Sequence, residues 1–395
     1  MKQSMRYTSF NPPVRTLMGS GPSDVHPRVL AAMARPTIGH LDPKFIEMMD
    51  QIKAMLQVAF QTKHAFTFPV SAPGSAGMET CFANLVEPGD KVIVCINGVF
   101  GGRMRENIER YGGVPIAVED RWGDPVDPHK LEDALKKNPD AKLVAFVHAE
   151  TSTGALSDAK TLCAIAHKHH ALTLVDAVTS LGGNPLKVDE WSIDAIYAGS
   201  QKCLSCTPGL SPVSLSERAA DRIKNRKTKV TSWFFDINLV MCYWGSGKRT
   251  YHHTAPINPL YGLHEALVML IEEGLENSWA RHRQHHLALR AGIEAMGLQF
   301  LVREDARLPQ LNAIVMPEGV DETQLRARLL NNYDLEIGAG LGALAGKIVR
   351  IGLMGAACNM KNVFYCLNAL ETVLAEMHVP IEKGAAVHAA QRALA

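Results

Sequence analysis

The sequence has no surplus of charge of either sign: 41 basic and 40 acidic residues leave a formal net charge of +1. That removes any global pull toward nucleic acid or an anionic membrane surface, so neither is expected as a partner. No apolar run approaches the roughly 20 residues that a membrane-spanning helix needs. The opening MKQSMRYTSFNPP lacks the apolar stretch of a secretory leader, and the closing RALA is not a peroxisomal address of the S-K-L kind. A cytoplasmic protein is the expectation. Cysteines are few and scattered: eight, at 81, 95, 163, 203, 206, 242, 358 and 366, mostly among apolar neighbours, which suits a reducing compartment. Only Cys203 and Cys206 have the C-x-x-C spacing. No second pair or histidine set completes a zinc site around them, so no metal is expected.

What is present reads as a globular enzyme of more than one domain. Charged residues are 21% and apolar ones 47%, which is not the composition of a disordered chain, and 395 residues exceed one ordinary domain. Residues 1–20 form a polar, proline-bearing arm that ends in the loop GSGP at 19–22. Short apolar runs at 92–96, 143–147, 172–175 and 195–198 then alternate with helical stretches such as 158–169. Continuous apolar runs of this length predict strands covered on both faces, and their alternation with helices predicts an α/β fold with a mainly parallel central sheet. A helix starts near Pro259, carries Leu260, Leu263, Leu267, Leu270 and Ile271 at helical spacing, and stops at Gly274. The basic, His-rich stretch around 281–290 continues as helix, and a second α/β set follows with apolar runs at 313–316 and 348–351 and a helix at 361–377. The expected division is an arm (1–20), a large domain (21–275) and a smaller C-terminal α/β domain (276–395). The histidines at 167–170 and 282–286 read as surface residues on solvent-facing helices rather than as metal ligands.

Two residues at successive strand ends carry the chemistry. Asp176 closes the buried run LVD, and ligands of open α/β sheets bind at the carboxyl ends of strands. A carboxylate there can keep a pyridinium nitrogen protonated, so that a cofactor ring acts as an electron sink; read alone, it is more simply a helix N-cap. Lys202 follows the next apolar run in GSQK (199–202), a setting that suits a Schiff base with an aldehyde, although most loop lysines are merely solvated. The pairing of the two raises the functional reading over the bland one. The loop SAPGSAG (71–77), before a helical stretch at 78–85, offers free backbone N–H groups to a phosphate. Phe100 follows another strand and can stack on a flat ring or fill the core. Arg350 sits in an otherwise apolar strand, where a guanidinium needs either a substrate carboxylate or a structural ion pair.

At this point the chain resembles the class V aminotransferases of pyridoxal 5′-phosphate (PLP) fold type I, in particular the alanine–glyoxylate / serine–pyruvate group. The stretches that carry the resemblance are GSGPS (19–23), NLVEPGD (84–90), ETSTG (150–154), LVDAVTSLGG (174–183), GSQK (199–202), TYHHT (250–254), EEGLENSW (272–279) and VRIGLMG (349–355). The resemblance implies PLP as cofactor, with Lys202 forming its Schiff base and shuttling a proton. Asp176 would pair with the ring nitrogen, Val178 and Phe100 would cover the two ring faces, and Thr151 would lie by the phenolic oxygen. Gly74, Ser75 and Gln201 would hold the phosphate. Tyr251 and Thr254 would reach it from a second subunit, which makes a homodimer the expected assembly. Arg350 would clamp the substrate carboxylate, helped by the backbone at Gly19. Phe100 stands where relatives have Trp, which keeps the stacking and removes an indole N–H, and Pro73 stands where many have a small polar residue.

The implied reaction is ping-pong transfer of an amino group from alanine or serine to glyoxylate. Ureidoglycine, a phosphonate amine or pyridoxamine are the alternative donors. Cysteine desulfurases share the fold but need a nucleophilic Cys on a loop where this chain has GAGLGA (338–343), without one. A non-catalytic relative would not be expected to keep Lys202, Asp176 and Arg350 together. His40 lies in a loop that the family places near the substrate entrance, and no catalytic role is assigned to it.

Overall fold

The computed structural model describes residues 8–245 and 249–394, so the first seven residues of the expected arm lie outside the described residues. Seven strands form the central sheet: β1 (Phe66–Val70), β2 (Lys91–Ile96), β3 (Val114–Glu119), β4 (Leu143–Val147), β5 (Leu172–Asp176), β6 (Ala195–Tyr197) and β7 (Ser211–Leu215). Their order is β1-β7-β6-β5-β4-β2-β3. β7 runs antiparallel to both neighbours and every other pairing is parallel. The four strands expected from apolar runs are β2, β4, β5 and β6. Their apolar residues are buried because helices cover both faces, as parallel connections require. The edge strand β3 is mostly exposed or half-buried, with only Val118 buried, and Pro115 interrupts its apolar run.

Two helices deliver side chains to the carboxyl end of this sheet. The helix α1 (Gly74–Leu85) follows β1, and α2 (Val99–Arg110) follows β2. The first starts four residues earlier than the apolar pattern indicates, because its opening residues Gly74, Ser75 and Ala76 are small and show no periodicity. The large core joins sheet residues such as Val94, Phe146, Leu174 and Ile196 to Phe82, Met104, Leu162 and Leu263 on the helices.

A second core lies on a four-stranded antiparallel sheet of β8 (Gln299–Phe300), β9 (Leu311–Val315), β10 (Gly338–Ala339) and β11 (Ile348–Gly352), in the order β8-β9-β11-β10. The helices α3 (Ile257–Glu273) and α4 (Leu275–Ala295) meet at Gly274, and α5 (Met360–Glu376) packs on the second core. The end of the arm is tied down: Thr16–Leu17 pairs with Leu335–Glu336, and Met18 is fully buried in the second core. No helix among the described residues is long and apolar enough to cross a membrane.

The histidines of α4 correct the sequence reading. His282, His285 and His286 are buried, on the inward stripe that also holds Ser278, Leu289 and Ile293. The His282 Nδ1–H donates to the Ser278 carbonyl at 2.7 Å, and its Nε2 accepts the Gly355 N–H at 3.0 Å. Burial pushes His282 and His286 down to about 4, so both are neutral near pH 7. A neutral, fully hydrogen-bonded imidazole is an acceptable core side chain, and a count of polar residues cannot distinguish it from a solvated one. Of the other set, His167 meets Asp194 at 2.8 Å while His170 is exposed.

Candidate active site

A partly open cleft of about 630 Å³ lies at the carboxyl ends of β4, β5 and β6 and the amino ends of α1 and α2. It is lined by eight residues singled out from the sequence: Gly74, Ser75, Phe100, Thr151, Asp176, Val178, Gln201 and Lys202. Its position follows the rule that parallel sheets bind ligands beyond the carboxyl ends of their strands.

Asp176 is buried at the end of β5, in register with Tyr197 on β6. The Tyr197 hydroxyl donates to its Oδ2 at 2.6 Å and the Val178 N–H to its Oδ1 at 2.8 Å. The residues that follow form turns, so the carboxylate is not a helix cap. Burial pushes Asp176 up to about 6 although both hydrogen bonds favour the charged form. Lys202 and Arg103 favour the charged form from a distance, but no cation pairs directly with Asp176 among the described residues, a place that a cationic N–H in the cleft would fill.

Lys202 is buried too, and its Nζ donates to the carbonyl of Ser20. Burial first, and the nearby Arg350 guanidinium second, lower its pKa to about 8. Only the neutral amine attacks an aldehyde, and its fraction grows as pH rises through the pKa. The rate at which cofactor-free protein takes up pyridoxal phosphate is therefore expected to rise with pH, with a midpoint near 8 rather than the 10.5 of a free lysine. Stopped-flow absorbance checks this; a midpoint near 10 would show that the amine is not desolvated.

The remaining lining suits a flat, anionic ring compound. Pro73 caps α1 without a side-chain hydrogen bond, which leaves first-turn N–H groups for an anion. Gln201 lines the cleft; its Oε1 is buried with no donor among the described residues, and it is the amide Nε2–H that could donate to an anion. A Cβ on Gly74 would stand 3.2 Å from the Val178 side chain, so any other residue would press on this wall of the cleft. Phe100 lies in the first turn of α2, half-buried, with the Arg103 guanidinium 4.9 Å from its ring centre. The residues present thus fit a phosphorylated pyridine.

Arg350 and Gly19 adjoin the cleft without lining it. The buried Arg350 donates from Nε to the Ala339 carbonyl at 2.6 Å and from Nη1 to the Thr151 carbonyl at 2.9 Å. The rest of its fork has no protein acceptor among the described residues. The Gly352 N–H, two residues after Arg350, donates to the Met18 carbonyl at 2.7 Å, which brings the loop 19–21 between Arg350 and Lys202. Tyr251 and Thr254 do not line the cleft in the same chain: Tyr251 is 60% exposed, its ring 5.3 Å from that of His40. Cys203 and Cys206 are buried, and burial pushes their thiols up to about 12 and 11, which leaves neither a nucleophile.

Three residues of the site escape the sequence reading. Tyr197 is hidden inside an apolar run, and only strand register puts it beside Asp176. Glu150 ends up fully buried next to Thr151, a carboxylate just past a buried strand, and the logic applied to Asp176 reaches it as well. Arg103 lines the cleft one turn after Phe100 and has no acidic partner within 4 Å among the described residues.

A buried amine and a buried carboxylate on one cleft, beside an arginine with free donors, define an enzyme of amine and carbonyl chemistry on a fold-type-I frame. The class V aminotransferase family model matches residues 24–373, and the chain belongs to that family. A crystal structure of ureidoglycine–glyoxylate aminotransferase from Bacillus subtilis superposes with a TM-score of 0.95 at 41% identity, over 98% of this chain and 99% of that one. That of alanine–glyoxylate aminotransferase from Nostoc sp. gives 0.92 at 43% identity, over 94% and 98%. Alanine–glyoxylate aminotransferase of Oryctolagus cuniculus is 39% identical over 92% of this chain and 93% of its own.

Proposed function

We propose that this aminotransferase moves the amino group of a small amino acid, alanine or serine, to glyoxylate, with PLP held in the cleft. The observation that carries the proposal is the placement of Lys202 and Asp176 in the lining of one cleft. When bound, PLP supplies an electrophilic aldehyde and a ring that withdraws electrons. Lys202 Nζ would hold the cofactor through its aldehyde and, as the free amine, would carry the proton that leaves the substrate Cα. Asp176 would keep the ring nitrogen protonated. Val178 and Phe100 would cover the ring faces, Thr151 would lie by the phenolic oxygen, and Gly74, Ser75 and Gln201 would take the phosphate. Tyr251 and Thr254 complete the phosphate site from a second subunit, so the working unit is a homodimer; the exposure of Tyr251 in the single chain supports this. The central sheet and its helices (21–275) form the cofactor domain, and residues 276–395 form the smaller one. Free thiols at all eight cysteines support a reducing compartment, the cytoplasm.

A second reading has ureidoglycine as donor, favoured by the likeness to the Bacillus subtilis ureidoglycine–glyoxylate enzyme. Both readings share glyoxylate as acceptor. Assaying alanine, serine and ureidoglycine against glyoxylate and pyruvate separates them. Turnover with none of the three would overturn both.

Arg350→Lys is expected to raise KM for the amino donor and for glyoxylate by about 100-fold, because a point charge cannot replace a two-pronged fork worth about 2–3 kcal/mol. Cofactor uptake should not change. Steady-state kinetics for each substrate check this, and an unchanged KM removes Arg350 from the substrate site.

A further inference from the structure

Glu150 has no part in the chemistry above, yet its carboxyl is fully buried beside the cleft. It follows β4 in a short ribbon where Ala149–Glu150 pairs with Ala155–Leu156. A buried carboxyl persists only where its hydrogen bonds repay desolvation, so those bonds reveal what it organises. Its Oε1 accepts the Ser152 hydroxyl at 2.6 Å and the Ser152 N–H at 3.1 Å. Its Oε2 accepts the Phe100 N–H at 3.2 Å, and the Ser152 hydroxyl oxygen in turn accepts the Val99 N–H at 2.9 Å.

These bonds cap the first turn of α2 from a distant part of the chain. Gly98, at the N-cap position, offers no capping side chain of its own. It could not be larger: a Cβ there would lie 2.5 Å from both Glu150 Cδ and Ser152 Oγ. Above about pH 7, the value to which burial pushes the Glu150 carboxyl, the cap is anionic and sits at the positive end of the helix dipole. On its other side Glu150 is bonded through the chain to Thr151, whose carbonyl holds Arg350 Nη1 at 2.9 Å. The negative charge of Glu150 supports the charged form of that guanidinium.

We infer that Glu150 is a positioning residue: its carboxyl locks the helix turn that presents Phe100 to the segment that orients Arg350. One side chain thereby sets both the ring-stacking surface and the substrate-carboxylate fork. The capping half stands on the geometry alone; the catalytic half rests on the proposed reading of the cleft.

The test uses full-length Glu150→Ala, Glu150→Gln and Ser152→Ala at pH 8, above the value of about 7 to which burial pushes the Glu150 carboxyl. In cofactor-free protein, hydrogen exchange over residues 98–103 should be about tenfold faster in Glu150→Ala, the loss expected for a helix cap. Glu150→Gln, which keeps the size and one accepting oxygen, should fall between it and the native protein. Exchange in β9 and β11 should not change. In the cofactor-loaded enzymes, Glu150→Ala should raise KM for the amino donor about tenfold and loosen PLP, with partial rescue in Glu150→Gln. A merely structural residue would lower the melting temperature and leave KM alone. If Glu150→Ala does not fold, Glu150→Gln and Ser152→Ala carry the same comparison. Native exchange over 98–103 in these variants overturns the cap. Native KM and PLP retention with altered exchange overturns the positioning role. If the native protein takes up no PLP, the reading of the cleft fails instead, and the exchange result is unaffected.

Discussion

Lys202→Ala is expected to lose transaminase turnover by about 10⁴-fold or more and to lose the visible absorption that PLP gives the native enzyme. No other lysine among the described residues lines the cleft, and Arg103, the other cation there, is too basic to attack an aldehyde. The loss combines two roles of one amine, holding the aldehyde carbon and moving the proton, and neither passes to a neighbour. The fold should survive. In the cofactor-free protein Lys202 has its pKa lowered from 10.5 to about 8 by burial. Between those values the unfolded chain binds the extra proton, so this group's contribution to stability rises with pH across the window, and below about 8 the whole penalty is felt. Removing it should leave cofactor-free Lys202→Ala no easier to melt at pH 7 than the native protein, apart from the cavity created. Turnover assays, absorption spectra and calorimetry check the three parts. Borohydride reduction of the loaded native enzyme followed by peptide mapping should label Lys202; a label on another lysine, or an active Lys202→Ala, would sink the assignment.

How much of this site could be read from the chain depends on the range of the interaction involved. Lys202 and Asp176 were legible because each ends a buried strand, and a charge at that place is anomalous on local grounds. The loop 71–77 was legible as a small-residue stretch before a helix, although the helix begins earlier than its apolar pattern. Tyr197 was not, since a tyrosine in an apolar run looks like core until β5 and β6 are set in register. Glu150 follows a buried strand too and was open to the same argument, but what it organises was not: its partners, the Phe100 N–H and the N–H and hydroxyl of Ser152, meet it only in the folded chain. The α4 histidines misled for the opposite reason. Their composition is that of a solvated face, and only helix packing shows that the imidazoles are neutral and inside. Spacing and residue type report strand ends and helix stripes; hydrogen bonds between distant segments appear only with the fold.

Asp176→Asn is expected to lower turnover by about 100-fold or more while leaving PLP uptake by Lys202 intact. The substitution keeps the size of the side chain, and its amide oxygen can still accept from Val178 or Tyr197. What it removes is the negative charge, and with it the ability to hold a proton on the ring nitrogen. Loss of one partner of a buried charged pair is worth about 3 kcal/mol or more, which is about 100-fold in rate. The effect should fall on kcat, because the protonated ring matters while the Cα proton moves and not while substrate binds. In the cofactor-free protein the same change should be stabilising. Asp176 is raised from 3.8 to about 6 by burial, so the folded state holds the extra proton between those values. Its contribution to stability is therefore present at low pH and lost as pH rises through about 6, leaving a penalty at pH 7 that asparagine does not carry. A higher melting temperature for cofactor-free Asp176→Asn at pH 7, beside a slower loaded enzyme, would be the signature of a carboxylate kept at a folding cost for its charge. Equal melting temperatures with equal kcat would mean that Asp176 is only a turn residue bonded to Val178.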